Sequence, residues 1–165
     1  MAEVIEHRDA AVPMRDGTML RADVYLPGTG VESSDDGTFP ALMPRTPYDK
    51  RMERYIENGH KLAERGYAVV MQDVRGRHAS DGEFRPGFYS AEHDDSEDGY
   101  DSVEWAAAQP WCDEGVGTFG ASYDGWTQWE LAHMRPPQMV VVPASAGNPR
   151  RVHAQHGRAL APLAG

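Results

Sequence analysis

In the stretch GTFGASYDG, residues 117–125, a serine stands between glycines directly after a short apolar run. A serine hydroxyl is a poor nucleophile at neutral pH. Acyl transfer through it needs a base, usually histidine, an acid that orients the base, and donors for the oxyanion. A sharp strand-to-helix turn supplies one thing more: it exposes the hydroxyl and aims a helix N-terminus at the oxyanion. Gly120 precedes Ser122 by two and Gly125 follows it by three, where side chains would collide with the neighbouring strand or helix. The five-residue pattern G-x-S-x-G is not met, because Asp124 occupies the place of its second glycine; the spacing is G-x-S-x-x-G. On the hexapeptide alone, a glycine-rich turn with an incidental serine is an equal reading.

The elements around the motif decide between them. AEVIEHRDAAVPM and TMLRADVYLP each alternate apolar and polar residues and predict two antiparallel strands, with Asp16-Gly17 as the tight turn. GTGVESSDDGT (28–38) reads as a loop. FPALMPRTPY predicts a third strand that Pro44 and Pro47 end early. Residues 51–65 place Met52, Tyr55, Ile56 and Leu62 near one helical face, with Gly66 as the residue that stops the helix. YAVVMQDV is nearly all apolar, as in a strand buried on both faces. SAEHDDSEDGYDSVEWAAAQ predicts a helix capped by Ser90 or Ser96, with acids in its first turn that suit the dipole. VGTFG predicts a strand, YDGWTQWELAHM a helix and QMVVVPASA a last strand. After the hairpin the order β-α-β-α-β-α-β predicts a mostly parallel sheet with helices on both faces. Binding residues then belong at the strands' carboxyl ends, in RTPYDK, DVRGRHASDGEF, GASYDG and ASAGNP.

Four segments, RTPYDK, YAVVMQDVRGRHASDGEF, AQPWCDEGVGTFG and GASYDG, together resemble the family of X-Pro dipeptidyl-peptidases, cocaine esterase and α-amino-acid ester hydrolases (CocE/NonD-type). The resemblance runs from about Arg15 to about Pro149, in order and with matching spacings. It implies the α/β-hydrolase fold and a serine hydrolase that cleaves acyl esters or amides. It implies Ser122 as the acylated nucleophile, the backbone N–H of Tyr123 as one oxyanion donor and the phenol of Tyr48 as the other. A tyrosine hydroxyl is a strong donor, and one oxyanion donor is typically worth ~3 kcal/mol of barrier. Without the resemblance, Tyr48 would read as a surface residue in a Pro-Tyr-Asp turn.

The other polar residues have plainer readings. Asp73 and Arg75, at the end of the buried strand, read as a structural ion-pair network rather than as walls of a substrate pocket. His78 reads as a solvated loop histidine. Asp94, Asp95, Glu97 and Asp98 lack the frame of a calcium loop and read as a solvated helix start; no metal is expected. Trp105, Trp111, Trp126 and Trp129 read as packing residues, and Cys112 as a structural thiol.

The triad's other members are not identified in this chain. In this fold the acid and the histidine follow the serine. Downstream of Ser122 the acids are Asp124 and Glu130, both on the helix that the motif opens, and the histidines are His133, His153 and His156. His133 belongs to that same helix and faces away. His153 and His156 fall in RRVHAQHGRALAPLAG, which carries no strand or helix pattern. Residues 1–149 therefore read as the N-terminal part of an α/β-hydrolase domain, ending after the strand that follows the nucleophile turn, and 150–165 as an irregular tail. A truncation, a frameshift or an artificial boundary would each produce it. The alternative is a catalytically silent α/β module that binds or associates, and the 139–143 edge strand is expected to pair two copies as a homodimer, to aggregate or to need a partner fragment.

A formal charge of −10 over 165 residues excludes the basic face that a nucleic-acid binder needs and opposes docking on anionic lipid. One cysteine allows no internal disulfide. The first ten residues hold no apolar core of a secretory signal, and no run of about 18 apolar residues occurs. A cytoplasmic enzyme with a small ester or peptide substrate and no cofactor is expected.

Overall fold

The computed structural model describes residues 3–28, 37–86, 95–141 and 144–145. Strands β1 (Val4–Pro13) and β2 (Met19–Pro27) pair antiparallel across the Asp16-Gly17 turn, with Val12 opposite Leu20 and Pro13 opposite Met19. A register shift between His7 and Ala10 bulges β1 and leaves Asp9 at φ +52. The predicted third strand is broken in two. β3 (Phe39–Leu42) ends before Met43-Pro44, and β4 (Arg45–Thr46) resumes beside the next strand. Pro44 cannot donate to a ladder, but its carbonyl still accepts the Gln72 N–H at 3.1 Å.

Helix α1 (Glu53–Ala63) leads to β5 (Ala68–Asp73), α2 (Asp95–Ala107) to β6 (Cys112–Gly117), and α3 (Tyr123–Met134) to β8 (Met139–Val141). A short strand β7 (Gly120–Ala121) lies between β6 and α3, and β9 (Ala144–Ser145) follows β8. The main sheet runs β1-β2-β5-β3-β6-β8. β2 is antiparallel to β5, and β5, β3, β6 and β8 are parallel, so the expected alternation is the architecture found. β7 and β9 leave this sheet and pair parallel as a small second one. All six residues of β5 are buried. Their side chains alternate between two cores. Val70 joins Leu20, Val24, Val103 and Leu131 on the face of α2 and α3; Val69 and Met71 join Tyr25, Tyr55 and Ala63 under α1. Gly66 follows α1 at φ +90, in the left-handed region that lets the chain turn into β5.

Two expectations are corrected at α2. The helix starts at Asp95, so Ser96 lies inside its first turn rather than at its cap, and its Oγ donates to Glu130 Oε2 at 2.9 Å; Ser90 lies outside the described residues. The acidic helix start is not simply solvated. Asp95 and Asp98 are buried. Arg45 Nη2 stands 2.8 Å from Asp95 Oδ1, and Arg75 holds Asp98 through two bonds of 2.9 and 2.6 Å. Two arginines brought in from strand ends neutralise these carboxylates, which a run of acids read alone cannot reveal. Glu97 does face solvent, and Asp94 lies outside the described residues. Trp126 is buried, Trp129 is half-buried, and Trp105 meets Trp111 edge to face at 6.5 Å. Cys112 is a buried free thiol whose pKa burial pushes up. No helix among the described residues is long and apolar enough to cross a membrane.

Candidate active site

Ser122 sits between β7 and α3 with φ 58 and ψ −125, a backbone conformation that a residue with a Cβ rarely adopts. It is the N-cap of α3, yet its side chain caps nothing. Its carbonyl accepts the N–H groups of Gly125 and Trp126, and its hydroxyl is left to point outward. The close turn explains Gly120: a Cβ there would meet the Asp124 Cβ at 2.5 Å. Tyr123 opens the helix, so its N–H is one of the first-turn donors that a helix directs beyond its own ladder. The Tyr123 ring is buried edge to face against Trp126, with centroids 5.0 Å apart.

The Tyr48 hydroxyl lies 3.2 Å from Ser122 Oγ. Tyr48 is carried by the turn that follows β4, and several bonds hold that turn. Its own N–H donates to Thr46 Oγ1 at 3.1 Å. The Pro47 carbonyl accepts Arg77 Nε at 3.0 Å and lies 3.1 Å from His78 Nε2. The Lys50 N–H donates to Asp73 Oδ1 at 2.8 Å. The Lys50 ammonium is buried against Asp9 Oδ1 at 2.8 Å, Asp73 Oδ2 at 3.2 Å and Asp23 Oδ1 at 3.6 Å. Burial alone would lower the Lys50 pKa; the three carboxylates outweigh it and hold the pKa above its ordinary value. The expectation that Asp73 belongs to an ion-pair network holds, but sequence reasoning missed its partner Lys50 and the shared Asp9 and Asp23. The visible signal was an aspartate, Asp73, closing an otherwise apolar strand.

A second group of bonds runs beneath the cleft. Asp124 is buried and its Oδ2 accepts the Tyr55 hydroxyl at 2.5 Å. The Tyr55 oxygen lies 2.8 Å from Thr46 Oγ1, the acceptor of the Tyr48 N–H. Burial raises the Asp124 pKa above the ordinary carboxylate range, against the pull of Tyr55, Thr46 and the charge of Arg54. Burial, with Asp124 next to it, pushes the Tyr55 phenol up to about 12. The open cleft above has a volume of about 850 Å³ and is lined by Tyr48, Met52, Arg54, Arg77, Phe119 and Ser122 among others.

The remaining candidates lie elsewhere. Glu130 accepts Ser96, and His133 Nδ1 lies 2.6 Å from the Glu130 carbonyl. His78 is exposed with φ +50, and Asp73 and Arg75 belong to ion-pair networks. Among the described residues no histidine contact to Ser122 is recorded; His153, His156 and the predicted tail lie outside them.

The fold recurs in known proteins. The chain is 44% identical over 125 residues to cocaine esterase of Rhodococcus sp. (strain MB1 Bresler), covering 73% of this chain and 20% of the relative. It superposes on a CocE/NonD family hydrolase from Staphylococcus aureus with TM-score 0.68 and 30% identity, over 83% of this chain and 26% of that one. It superposes on an α-amino acid ester hydrolase with TM-score 0.64 and 27% identity, over 85% and 25%. The chain thus spans about a fifth of the length of the curated relative and about a quarter of the solved structures. Both structures share its α/β-hydrolase architecture. The profile of the X-Pro dipeptidyl-peptidase (S15) family matches residues 16–163, nearly the whole sequence, and the chain belongs to that family of hydrolases.

Proposed function

We propose that this chain carries the nucleophile and oxyanion donors of a serine hydrolase that cleaves acyl esters or amides. The observation that supports this best is the exposed Ser122 hydroxyl, on a strained strand-to-helix turn, 3.2 Å from the Tyr48 hydroxyl. Ser122 Oγ attacks the substrate carbonyl and its proton passes to a base. The carbonyl oxygen becomes an oxyanion, which accepts hydrogen bonds from the Tyr48 hydroxyl and the Tyr123 N–H. Collapse expels the alcohol or amine with the base's proton and leaves an acyl group on Ser122, which water then removes. The base comes from outside the contacts recorded for the described residues. A fluorophosphonate with peptide mapping tests the reading, with and without imidazole as an external base. Labelling confined to Ser122 and abolished by Ser122→Ala is expected; labelling elsewhere, or none in either condition, refutes it.

The exposed edge of β8 favours a second reading, a catalytically silent association module. Among the described residues β8 is the outermost strand of the main sheet, with Val140 69% exposed, and on this reading the 139–143 edge, of which 142–143 lie outside the described residues, pairs two copies of the chain.

A further inference from the structure

The cleft that holds Ser122 also holds two guanidinium groups with no carboxylate at ion-pair distance among the described residues, although the charge of Arg54 acts on Asp124. Arg54 donates to the Tyr55 hydroxyl at 2.9 Å and lies over the Tyr48 ring, 5.4 Å from its centroid. Arg77 spends its Nε on the Pro47 carbonyl and lies over the Phe84 ring at 5.0 Å. Neither has a carboxylate in ion-pair contact among the described residues. Arg8, Arg15, Arg45, Arg51, Arg75 and Arg85 each have one. Arg21, Arg65 and Arg135 also lack one among the described residues; what sets Arg54 and Arg77 apart is that both line the cleft of Ser122.

Arg54 also lies over the Tyr55 ring, 4.7 Å from its centroid, and these contacts hold it against the helix dipole. It occupies the first turn of α1, where the helix dipole disfavours a cation. α1 begins after Met52 and α3 after Ser122. Both residues line the cleft, and neither supplies a side-chain cap. Two helix N-termini and two guanidinium groups therefore border the same space, and all four favour negative charge. One oxyanion on the attacked carbonyl occupies the α3 end. Arg54 and Arg77 remain for a second anion. Asp124 also borders the cleft, but it is buried with its Oδ2 bonded to Tyr55.

We propose that the cleft selects esters that carry a carboxylate, which Arg54 and Arg77 bind while the carbonyl lies at Ser122. This rests on Ser122 being the nucleophile. A guanidinium meets a carboxylate in a forked, charge-assisted pair, and the Tyr48 ring beneath Arg54 brings that pair within one ring's breadth of the reacting oxygen. No bond to the carboxylate forms or breaks; it fixes the substrate's orientation.

The test compares monomethyl glutarate, which is anionic, with neutral dimethyl glutarate, by titration against the full chain at low ionic strength. Binding is read from the backbone amide shifts of Tyr48 and Ser122, so that it needs no turnover. The anionic probe is expected to bind about tenfold more tightly, the worth of one charged hydrogen bond. Added salt should erase the difference. Arg77→Gln, which also gives up the Nε bond to the Pro47 carbonyl, should reduce it, and the double change Arg54→Gln with Arg77→Gln should remove it. Arg65→Gln, outside the cleft, should leave it intact. Equal binding of the two probes, a preference that survives in the double variant, or no shift with either probe overturns the proposal. Fluorophosphonate labelling of Ser122 is scored separately. Anion preference without labelling removes the hydrolase reading and leaves the anion site; labelling without preference does the reverse.

Discussion

The Tyr48 hydroxyl and Ser122 Oγ stand 3.2 Å apart although 74 residues separate them along the chain. The two are tied from below as well. Tyr48 hangs by its N–H from Thr46 Oγ1, Thr46 meets Tyr55, and Tyr55 holds Asp124, two residues beyond the serine. The nucleophile turn and the tyrosine turn thus share one hydrogen-bonded base.

Tyr48→Phe should slow phosphonylation of Ser122 by about 10²–10³, the typical effect of losing one oxyanion donor. Stability should change by less than about 0.5 kcal/mol, because Tyr48 is exposed and its hydroxyl, among the described residues, bonds only to Ser122. Mass-spectrometric labelling time courses and urea melts measure both. Unchanged labelling kinetics would remove Tyr48 from the mechanism.

Asp124→Asn should change how stability depends on pH. The folded-state pKa of Asp124 is raised by burial. Folding therefore favours the protonated form: its stabilisation is complete below the unfolded carboxylate value of about 3.9 and is lost as pH rises through the folded value. Asparagine does not ionise. The variant should accordingly gain on the parent as pH rises from about 4 toward neutrality, as followed by urea unfolding across that window. Parallel curves would mean that Asp124 titrates normally. Asp98 is raised in the same sense but is common to both proteins and cancels in the difference.

Lys50→Met should destabilise the chain by about 3–5 kcal/mol, the usual result of removing one partner from a buried ion pair. Asp23 and Asp73 are both wholly buried and would lose their shared cation. The Tyr48 turn should loosen with it, so amide exchange at residues 47–50 should accelerate even well below the melting temperature. A variant as stable as its parent would show that the carboxylates find other partners.

Val140→Lys tests the proposed pairing of sheet edges. Val140 is 69% exposed on β8, and a lysine on an edge strand opposes pairing with a second copy. Sedimentation should show association of the parent at tens of micromolar, about the range where edge pairing competes with solvation, and a shift toward monomer in the variant. A parent that sediments as a single monomeric species contradicts the pairing.

Whatever depended on neighbours in sequence was legible before the structure. The buried β5, the hairpin at Asp16-Gly17 and the serine turn each announce themselves within ten residues or so, through apolar runs and glycine spacing. Tyr48 became visible only through a family resemblance, because nothing within RTPYDK says that it will face residue 122. The ion pairs were out of reach for a related reason. Lys50 meets Asp9, Asp23 and Asp73 across the sheet, and Arg45 meets Asp95 across 50 positions. An acid destined for a buried pair and one destined for solvent are the same letter. Pro44, by contrast, predicted an early end to a strand and the chain found a subtler solution, resuming as β4 on the other side of the break.

The small β7–β9 sheet has a bearing on how the protein comes into being. Gly120 and Ala121, immediately ahead of the serine, pair with Ala144 and Ser145. A ribosome delivers the serine well before those partners, and domains assemble largely in the order in which their segments emerge. The nascent chain therefore carries Ser122 for a time with no strand beside it. Pairing beside the turn must wait until Ser145 clears the exit tunnel, so a polypeptide arrested ahead of Ala144 would present Ser122 without that neighbouring strand.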